Sequence, residues 1–289
     1  MVNKSLKNPN APVTQRPSNP KVLYEDSQLL VVDKPAGMVV NRAESVKGET
    51  LQDWVSRVLP RVLPPAPRQS SGQASGKSVP VLSEVEGSGS LPPASPASDS
   101  FLQRSGIVHR IDKETSGVLL VAKTPEVFEN LQAQFKERKV EKTYIALVHG
   151  RVVPEEGTIN APTGRLPWNR ERFGVLLGGR EAETKYKTIS NFKFLISNEE
   201  LTLLELYPKT GRTHQLRVHL KSIGHPIVGD QFYAGRKTAR EDRKWCPRLF
   251  LHAQSITFTH PTSGKRVTIT SESPEELQDV LAYLRKRTS

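Results

Sequence analysis

The sequence predicts an α+β fold: a mixed, mainly antiparallel sheet flanked by a few helices. Two observations carry this. Segments with strand character cluster without strict alternation with helical ones, which disfavours a doubly wound parallel sheet. Near the C-terminus, Phe250–His260 and Lys265–Thr270 flank Pro261-Thr262-Ser263-Gly264, a hairpin pattern.

The elements follow in order. Residues 1–21 read as a flexible tail, and Val22-Leu23-Tyr24-Glu25-Asp26 begins the ordered domain. Leu29 to Lys34 is a short apolar run stopped by Pro35-Ala36-Gly37, a buried strand ending in a turn. Thr50 is placed to cap a helix from Leu51 to Leu59, closed by Pro60. The stretch 64–100 holds no aromatic residue and is dominated by Ser, Pro, Gly and Ala. It has too little apolar area to offset its ordering entropy, so it is predicted to be a disordered insertion. Val118–Ala122 is a buried strand, and Thr124-Pro125 opens a helix to Arg138. Lys142–Gly150, Thr184–Ile196 and Leu201–Tyr207 read as strands, the last two joined by a turn at Ser197-Asn198. Thr213 can cap a helix running to Ile223 before Gly224. After Ser273-Pro274, Leu277, Val280, Leu281 and Leu284 share one face of a final helix. Residues 22–289 therefore read as a single domain interrupted by the insertion.

Composition narrows the function. In 289 residues, hydrophobic types make up 36% and charged types 25%. No apolar run approaches the ~20 residues that span a bilayer, and the N-terminus has no secretory apolar core. The single cysteine, Cys246, excludes an intramolecular disulfide and a multi-cysteine zinc site. A reducing, cytoplasmic setting is the expectation. A net charge of +12 attracts polyanions, either nucleic acid or an acidic membrane surface. Aromatics at 6% are too few for a broad stacking platform. An anionic-membrane binder would need an amphipathic surface helix rich in bulky apolar residues, which is not seen.

Three stretches could carry chemistry. His109-Arg110-Ile111-Asp112-Lys113-Glu114-Thr115-Ser116-Gly117 lies just before a buried strand, where loop meets sheet. A carboxylate there, beside cations, can act as nucleophile or base. The plainer alternative is a turn in which Asp112 accepts hydrogen bonds from the backbone of Thr115 or Ser116. In the second stretch, His214, Arg217 and Lys221 follow Thr210-Gly211-Arg212-Thr213 at helical spacing and share one face, suited to phosphate or carboxylate. The alternative is a solvated basic face. His214 and His219 are five apart, wrong for paired metal ligands on one helix face. In the third stretch, Tyr144 begins a strand after Lys142-Thr143, and by itself reads as a core tyrosine.

Together these stretches resemble a known family. The His-Arg-Ile-Asp-x-x-Thr-Ser-Gly run resembles the signature of the RluA family of pseudouridine synthases, the large-ribosomal-subunit uridine isomerases. Lys34-Pro35-Ala36-Gly37 resembles the family's first motif. Lys142-x-Tyr144-x-Ala146, the run Gly211 to His219, Gly224 to Asp230 and Leu251-His252-Ala253 are similar to later ones. The similarity runs from Val22 to the C-terminus apart from the insertion. Ile111 stands where the family usually has Leu, and Asn41 where relatives often have His.

The resemblance implies an α+β catalytic domain and an isomerase that converts selected uridines of RNA to pseudouridine, with no metal and no organic cofactor. It implies Asp112 as nucleophile, Tyr144 stacking on the base and handling a proton, and Arg217 paired with Asp112. Arg110 would fill the gap left by a flipped uridine. His109, Thr115, Lys34, Arg212 and His214 would complete the RNA-binding set. Large-subunit ribosomal RNA is the favoured substrate, with transfer RNA as the alternative. A non-catalytic RNA-binding or ribosome-assembly factor on the same fold is the competing class. Only about twenty residues precede the catalytic segment, so the S4-type RNA-binding module of many relatives is expected to be absent. Recognition would then fall to basic surface groups: Lys136, Arg138, Lys139 and Lys142, and Arg236, Lys237, Arg240, Arg243 and Lys244. The expected assembly is a monomer without an obligate protein partner.

Overall fold

In a computed structural model, the structure describes residues 18–59, 96–193 and 199–287. Its centre is a nine-stranded sheet of β1 (Lys21–Glu25), β2 (Leu29–Lys34), β3 (Ser116–Ala122), β4 (Glu141–His149), β5 (Glu156–Asn160), β8 (Glu183–Lys193), β9 (Glu200–Pro208), β10 (Leu251–Thr259) and β11 (Arg266–Thr270). The strand order is β1-β2-β3-β10-β4-β9-β8-β5, and β11 pairs with β10. All pairings are antiparallel except a short parallel contact of β10 with β3 at His252–Ser116 and Ala253–Gly117. The predicted mixed, mainly antiparallel sheet is the one observed. A separate hairpin, β6 (Thr163–Leu166) and β7 (Asn169–Val175), stands off this sheet.

Six helices accompany the strands among the described residues: α1 (Leu51–Val58), α2 (Pro96–Gln103), α3 (Pro125–Lys136), α4 (Gln215–Ser222), α5 (Arg236–Asp242) and α6 (Glu275–Arg287). Thr50 caps α1 as expected, in a reciprocal capping box with Asp53. Thr124 caps α3, with Pro125 in its first turn. α6 buries Leu277, Val280 and Leu284, while Leu281 is half-buried.

Some boundaries differ from expectation. The predicted insertion covers 64–100, yet Pro96–Gln103 is helical. Phe101 explains this: it is buried and packs edge-on against Phe128 of α3 at 5.9 Å. The rest of the insertion, the tail through residue 17 and the turn at Ser197-Asn198 lie outside the described residues. Thr213 does not cap α4. His214 occupies the cap position in a left-handed conformation, φ 54°, with no side-chain cap bond. The Gln215 side chain fixes this corner instead. It accepts from Arg212 N and Thr210 Oγ1 and donates to Glu183 O and Thr184 Oγ1.

The site depends on the β2-β3-β10-β4 centre. β3 is buried along its whole length, as expected for a strand covered on both faces. Its second residue, Gly117, has φ +118°, and a Cβ there would collide with the Ala253 carbonyl of β10. Gly117 therefore admits β10 beside β3. Gly117→Ala should cost at least ~2 kcal/mol, through positive φ and the clash. Urea denaturation reads this directly, and an unchanged midpoint would contradict it.

Candidate active site

Asp112 sits in the turn that feeds β3, and the turn is closed by backbone. Thr115 N–H donates to the Asp112 main-chain carbonyl at 3.1 Å. The alternative of a side-chain-closed turn is thereby excluded, and the Asp112 carboxylate is left for other work. Its side chain is 19% exposed, and Oδ2 accepts from Arg217 Nη1 at 3.4 Å. No other hydrogen bond reaches this carboxylate among the described residues.

Arg217 projects from α4 and is almost fully buried. Its main partner is Asp230, which the sequence did not single out. Nε donates to Asp230 Oδ2 at 2.7 Å and Nη2 to Oδ1 at 2.9 Å. Asp230 Oδ1 also accepts from Phe232 N and Tyr233 N at 2.9 and 3.1 Å. The guanidinium lies against two rings, 5.5 Å from the Phe232 centroid and 5.0 Å from that of Tyr233. Burial opposes its charge, but Asp230 and then Asp112 outweigh burial and hold its pKa well above the ordinary arginine value.

Tyr144 lies on β4, buried, directly opposite Ala253 of β10 and Leu206 of β9. Burial first, then the Asp112 charge, push its phenol pKa far up. The phenol is therefore protonated at neutral pH.

His214 joins the cluster from the α4 cap. Its Nδ1 meets Tyr233 Oη at 2.8 Å, and its ring packs edge-on against Phe173 and Tyr233. The Tyr233 hydroxyl also accepts from Phe173 N at 3.2 Å, which ties the β6–β7 hairpin to the site. Lys221 Nζ lies 5.9 Å over the Tyr233 ring. The predicted shared face of His214, Arg217 and Lys221 is thus real, with Tyr233 as their common neighbour. Arg110 is exposed, and its charge reaches His214. Arg212 is half-buried, its Nε held by the Glu181 carbonyl at 3.0 Å.

Three predicted RNA-binding residues need correction. Lys34 is fully buried and donates to the carbonyls of Pro35, Met38 and Lys113 at 2.8, 2.9 and 3.2 Å. An ammonium has three donors, so none remains for a phosphate. Burial and then the Arg248 charge lower its pKa to about 7. Lys34 ties the Asp112 turn to the chain after β2. Thr115 is buried behind that turn and has no surface to offer. The His109 ring stacks on Phe135 at 4.9 Å, and Nε2 accepts from Leu120 N at 3.0 Å. Burial, then Lys142 and Arg104, bring its pKa down to about 3, so it carries no charge toward RNA.

Arg248, also missed, supports the turn from the other side. It donates to Glu114 O at 3.3 Å and to Ser116 Oγ at 2.8 Å. His219 is structural, bonded to Thr184 Oγ1 and Ala161 O. Cys246 is buried, and its thiol pKa is pushed up to about 12 by burial, so it is no nucleophile. No group of three His, Cys, Asp or Glu side chains arranged for a metal occurs among the described residues. No described helix is long and apolar enough to cross a membrane. A cavity of about 570 Å³, lined by Val108, Glu129, Gln132, Ala133, Phe135 and Lys136, opens beside the start of the signature rather than at Asp112.

The β6–β7 hairpin, tied to Tyr233 through Phe173, carries Arg165, Arg170 and Arg172, with Trp168 77% exposed in its turn. Its four- and seven-residue strands carry Gly164 and Gly174 within them, which hid them from pattern reading. The turn signal Pro167-Trp168-Asn169 was the clue available.

A family model described as RNA pseudouridylate synthase matches residues 28–222. The chain belongs to this family. The synthase is 36% identical over 269 residues to a ribosomal large subunit pseudouridine synthase D of Nitrosomonas europaea, covering 92% of this chain and 65% of that protein. It is 33% identical to the synthase of the same name from Pseudomonas aeruginosa, covering 92% and 72%. An RNA pseudouridine synthase of Aquifex aeolicus, named as uncharacterized, is 34% identical over 96% of this chain and 77% of its own. Among solved structures, human RNA Pseudouridylate Synthase Domain Containing 1 superposes with a TM-score of 0.61 at 24% identity, over 92% and 95% of the chains. That likeness concerns the fold. The enzyme is thus an isomerase acting on RNA uridine.

Asp230→Ala would leave the Arg217 charge buried with only the long Asp112 contact. Losing one partner of a buried pair costs about 3–5 kcal/mol. The variant should unfold at correspondingly lower urea concentration, and a midpoint like that of the wild type would refute the importance of the pair.

Proposed function

We propose that the synthase isomerises uridine in large-subunit ribosomal RNA, with Asp112 as the nucleophile acting on a nucleotide turned out of its strand. The observation that carries this is the contrast between the site's two acids. Asp230 is saturated with hydrogen bonds, whereas Asp112 is partly exposed and holds one long contact to the same guanidinium. A nucleophile needs a free lone pair and a fixed direction, and only Asp112 has both.

The reaction adds and removes no atoms. The uracil leaves C1′ at N1, turns in the pocket, and rejoins C1′ through C5. The C5 proton is lost and N1 gains one. Tyr144, a neutral phenol packed beside the acid, is suited to stack on the uracil and donate a hydrogen bond. Its high pKa opposes a role as a standing base. Arg217 directs the Asp112 oxygen and balances its charge between attack and release.

The target bond lies within the stacked strand, so the uridine must be extruded, which costs a few kcal/mol. Arg110, exposed beside the turn, is suited to occupy the vacated place and hydrogen-bond there. The hairpin guanidiniums and Trp168 are suited to phosphate contacts and to stacking on a base. The ribosomal target is favoured by the relatives named as large-subunit synthases.

Asp112→Ala should form no pseudouridine, a loss of about 10⁴-fold or more, while RNA binding stays near the wild-type level. Product from that variant would remove Asp112 from this role. Arg110→Ala should slow turnover by about 10- to 100-fold, the scale of a few kcal/mol of lost extrusion support. An unchanged rate would exclude the gap-filling role. Mapping pseudouridines in total RNA with and without the gene should show a loss confined to large-subunit ribosomal RNA. A loss confined to transfer RNA would overturn the substrate assignment.

A further inference from the structure

The Arg217–Asp230 pair is backed by a group of side chains that the chemistry above does not use. Gly229, just before Asp230, donates its N–H to Asp242 Oδ2 at 2.8 Å. Gly229 has φ +76°, and a Cβ there would strike the Arg248 carbonyl, so this peptide has little freedom to shift. Asp242 ends α5 and is buried. The same Oδ2 meets His149 Nε2 at 3.1 Å, and His149 Nδ1 faces Glu199 Oε1, also at 3.1 Å. His149 is the last residue of β4, the strand that carries Tyr144.

The two ring contacts favour one protonation state. Carboxylate oxygens only accept. Both contacts are hydrogen bonds only when both ring nitrogens bear hydrogen, and that state is the imidazolium cation. Burial opposes the cation, but Asp242 and then Glu199 outweigh it, so the His149 pKa is raised. The nearby His225 does not face the ring: its Nδ1 bonds the His149 main-chain carbonyl at 2.8 Å. The same segment is tied to β4 by His149 N to Pro226 O and Val228 N to Leu147 O.

We infer that His149 and Asp242 are positioning residues for the reactive pair. Protonated His149 holds the Asp242 carboxylate, Asp242 holds the Gly229 amide, and the following Asp230 carboxylate sets the direction in which Arg217 meets Asp112. The consequence for catalysis rests on the reading of Asp112 as nucleophile; the structural coupling does not. The direction of the pH effect follows from the sign of the shift. A raised histidine pKa means that the arrangement is complete below the ordinary histidine value and is lost as pH rises through the folded-state pKa. One carboxylate then faces a bare nitrogen.

The coupling is read first without RNA, by NMR of the whole chain. The Arg217 Nε–H signal should move as His149 titrates in the wild type, lose that movement in His149→Gln, and show it at lower pH in Asp242→Asn. An Arg217 signal indifferent to the His149 titration would overturn the coupling. The kinetic test uses an unmodified transcript of large-subunit ribosomal RNA. Wild-type kcat should fall by about tenfold above the His149 pKa, a change of about 1.4 kcal/mol in activation free energy, with KM unchanged. His149→Gln should show the low rate at every pH, and His149→Arg, a permanent cation with several donors, should restore the rate and remove the fall. A wild-type pH profile in His149→Gln would overturn the inference. If Asp112→Ala is inactive while that profile is unchanged, this inference alone fails. If Asp112→Ala is active, the nucleophile reading fails and the NMR coupling stands or falls by itself.

Discussion

One guanidinium, that of Arg217, serves two acids, and the arrangement of the site follows from that sharing. A planar fork can offer a parallel pair of donors to one carboxylate and keep a third donor for another. Arg217 gives Nε and Nη2 to Asp230 and Nη1 to Asp112. The first pair settles where the guanidinium lies, and the last donor settles where a partly exposed carboxylate is drawn. Lysine in this place would keep the charge and lose the division, because an ammonium has no plane to orient. Placing such a charge in the interior is costly unless it is paired and hydrogen-bonded. Asp230 meets that cost with Oδ1 and Oδ2, and the guanidinium carbon lies 5.5 and 5.0 Å from the Phe232 and Tyr233 ring centroids.

The fork would have nothing fixed to aim at if the Asp112 turn could drift. Two buried basic side chains prevent this by donating to carbonyls of the turn. Lys34 holds Lys113 O from the end of β2, and Arg248 holds Glu114 O from just before β10. β2 and β10 are the two neighbours of β3, so the turn is anchored to both sides of the strand it introduces. The Gly37 amide adds a third tie, to the same Lys113 carbonyl, at 2.8 Å. These contacts use main-chain acceptors of the residues after Asp112 and leave its carboxylate toward α4. The sheet acts as a frame, and the partly exposed Asp112 carboxylate stands at the entrance to its inner strand β3.

What the sequence revealed, and what it hid, follows from this division. Local order was legible. The caps Thr50 and Thr124, the apolar runs of β2 and β3, and the hairpin of β10 and β11 all encode their structure within a few residues. Asp112, Tyr144 and Arg217 were picked out through the motif resemblance, and the structure sets Arg217 against Asp112 at 3.4 Å. The roles of Lys34 and Thr115 were misread because burial is a property of the assembled sheet, and a lysine near a motif looks the same in sequence whether it faces phosphate or three carbonyls. Asp230 was visible in a motif, yet its bond to a residue 13 positions earlier depends on how α4 and the following loop fold back. α2 was hidden for the opposite reason. Its first turns are built from the residue types that marked the insertion as unstructured, and the docking of Phe101 on Phe128 supplies burial that the local sequence does not announce.

The electrostatics also constrain which residues can exchange protons during the reaction. Three groups near the site have had their ordinary acid–base range removed. Tyr144 is held protonated, His109 is held neutral, and Arg217 is held charged. Each is fixed by burial acting with or against particular charges, and none changes state near neutral pH. In the proposed reaction, Asp112, a water and the Tyr144 phenol are candidate acceptors for the proton that leaves C5. Asp112 is the one of these protein groups that reaches solvent with an oxygen unused. The acid proposed to open the reaction is thus also the best placed to accept the proton that closes it, and the unsaturated state of its carboxylate serves both steps.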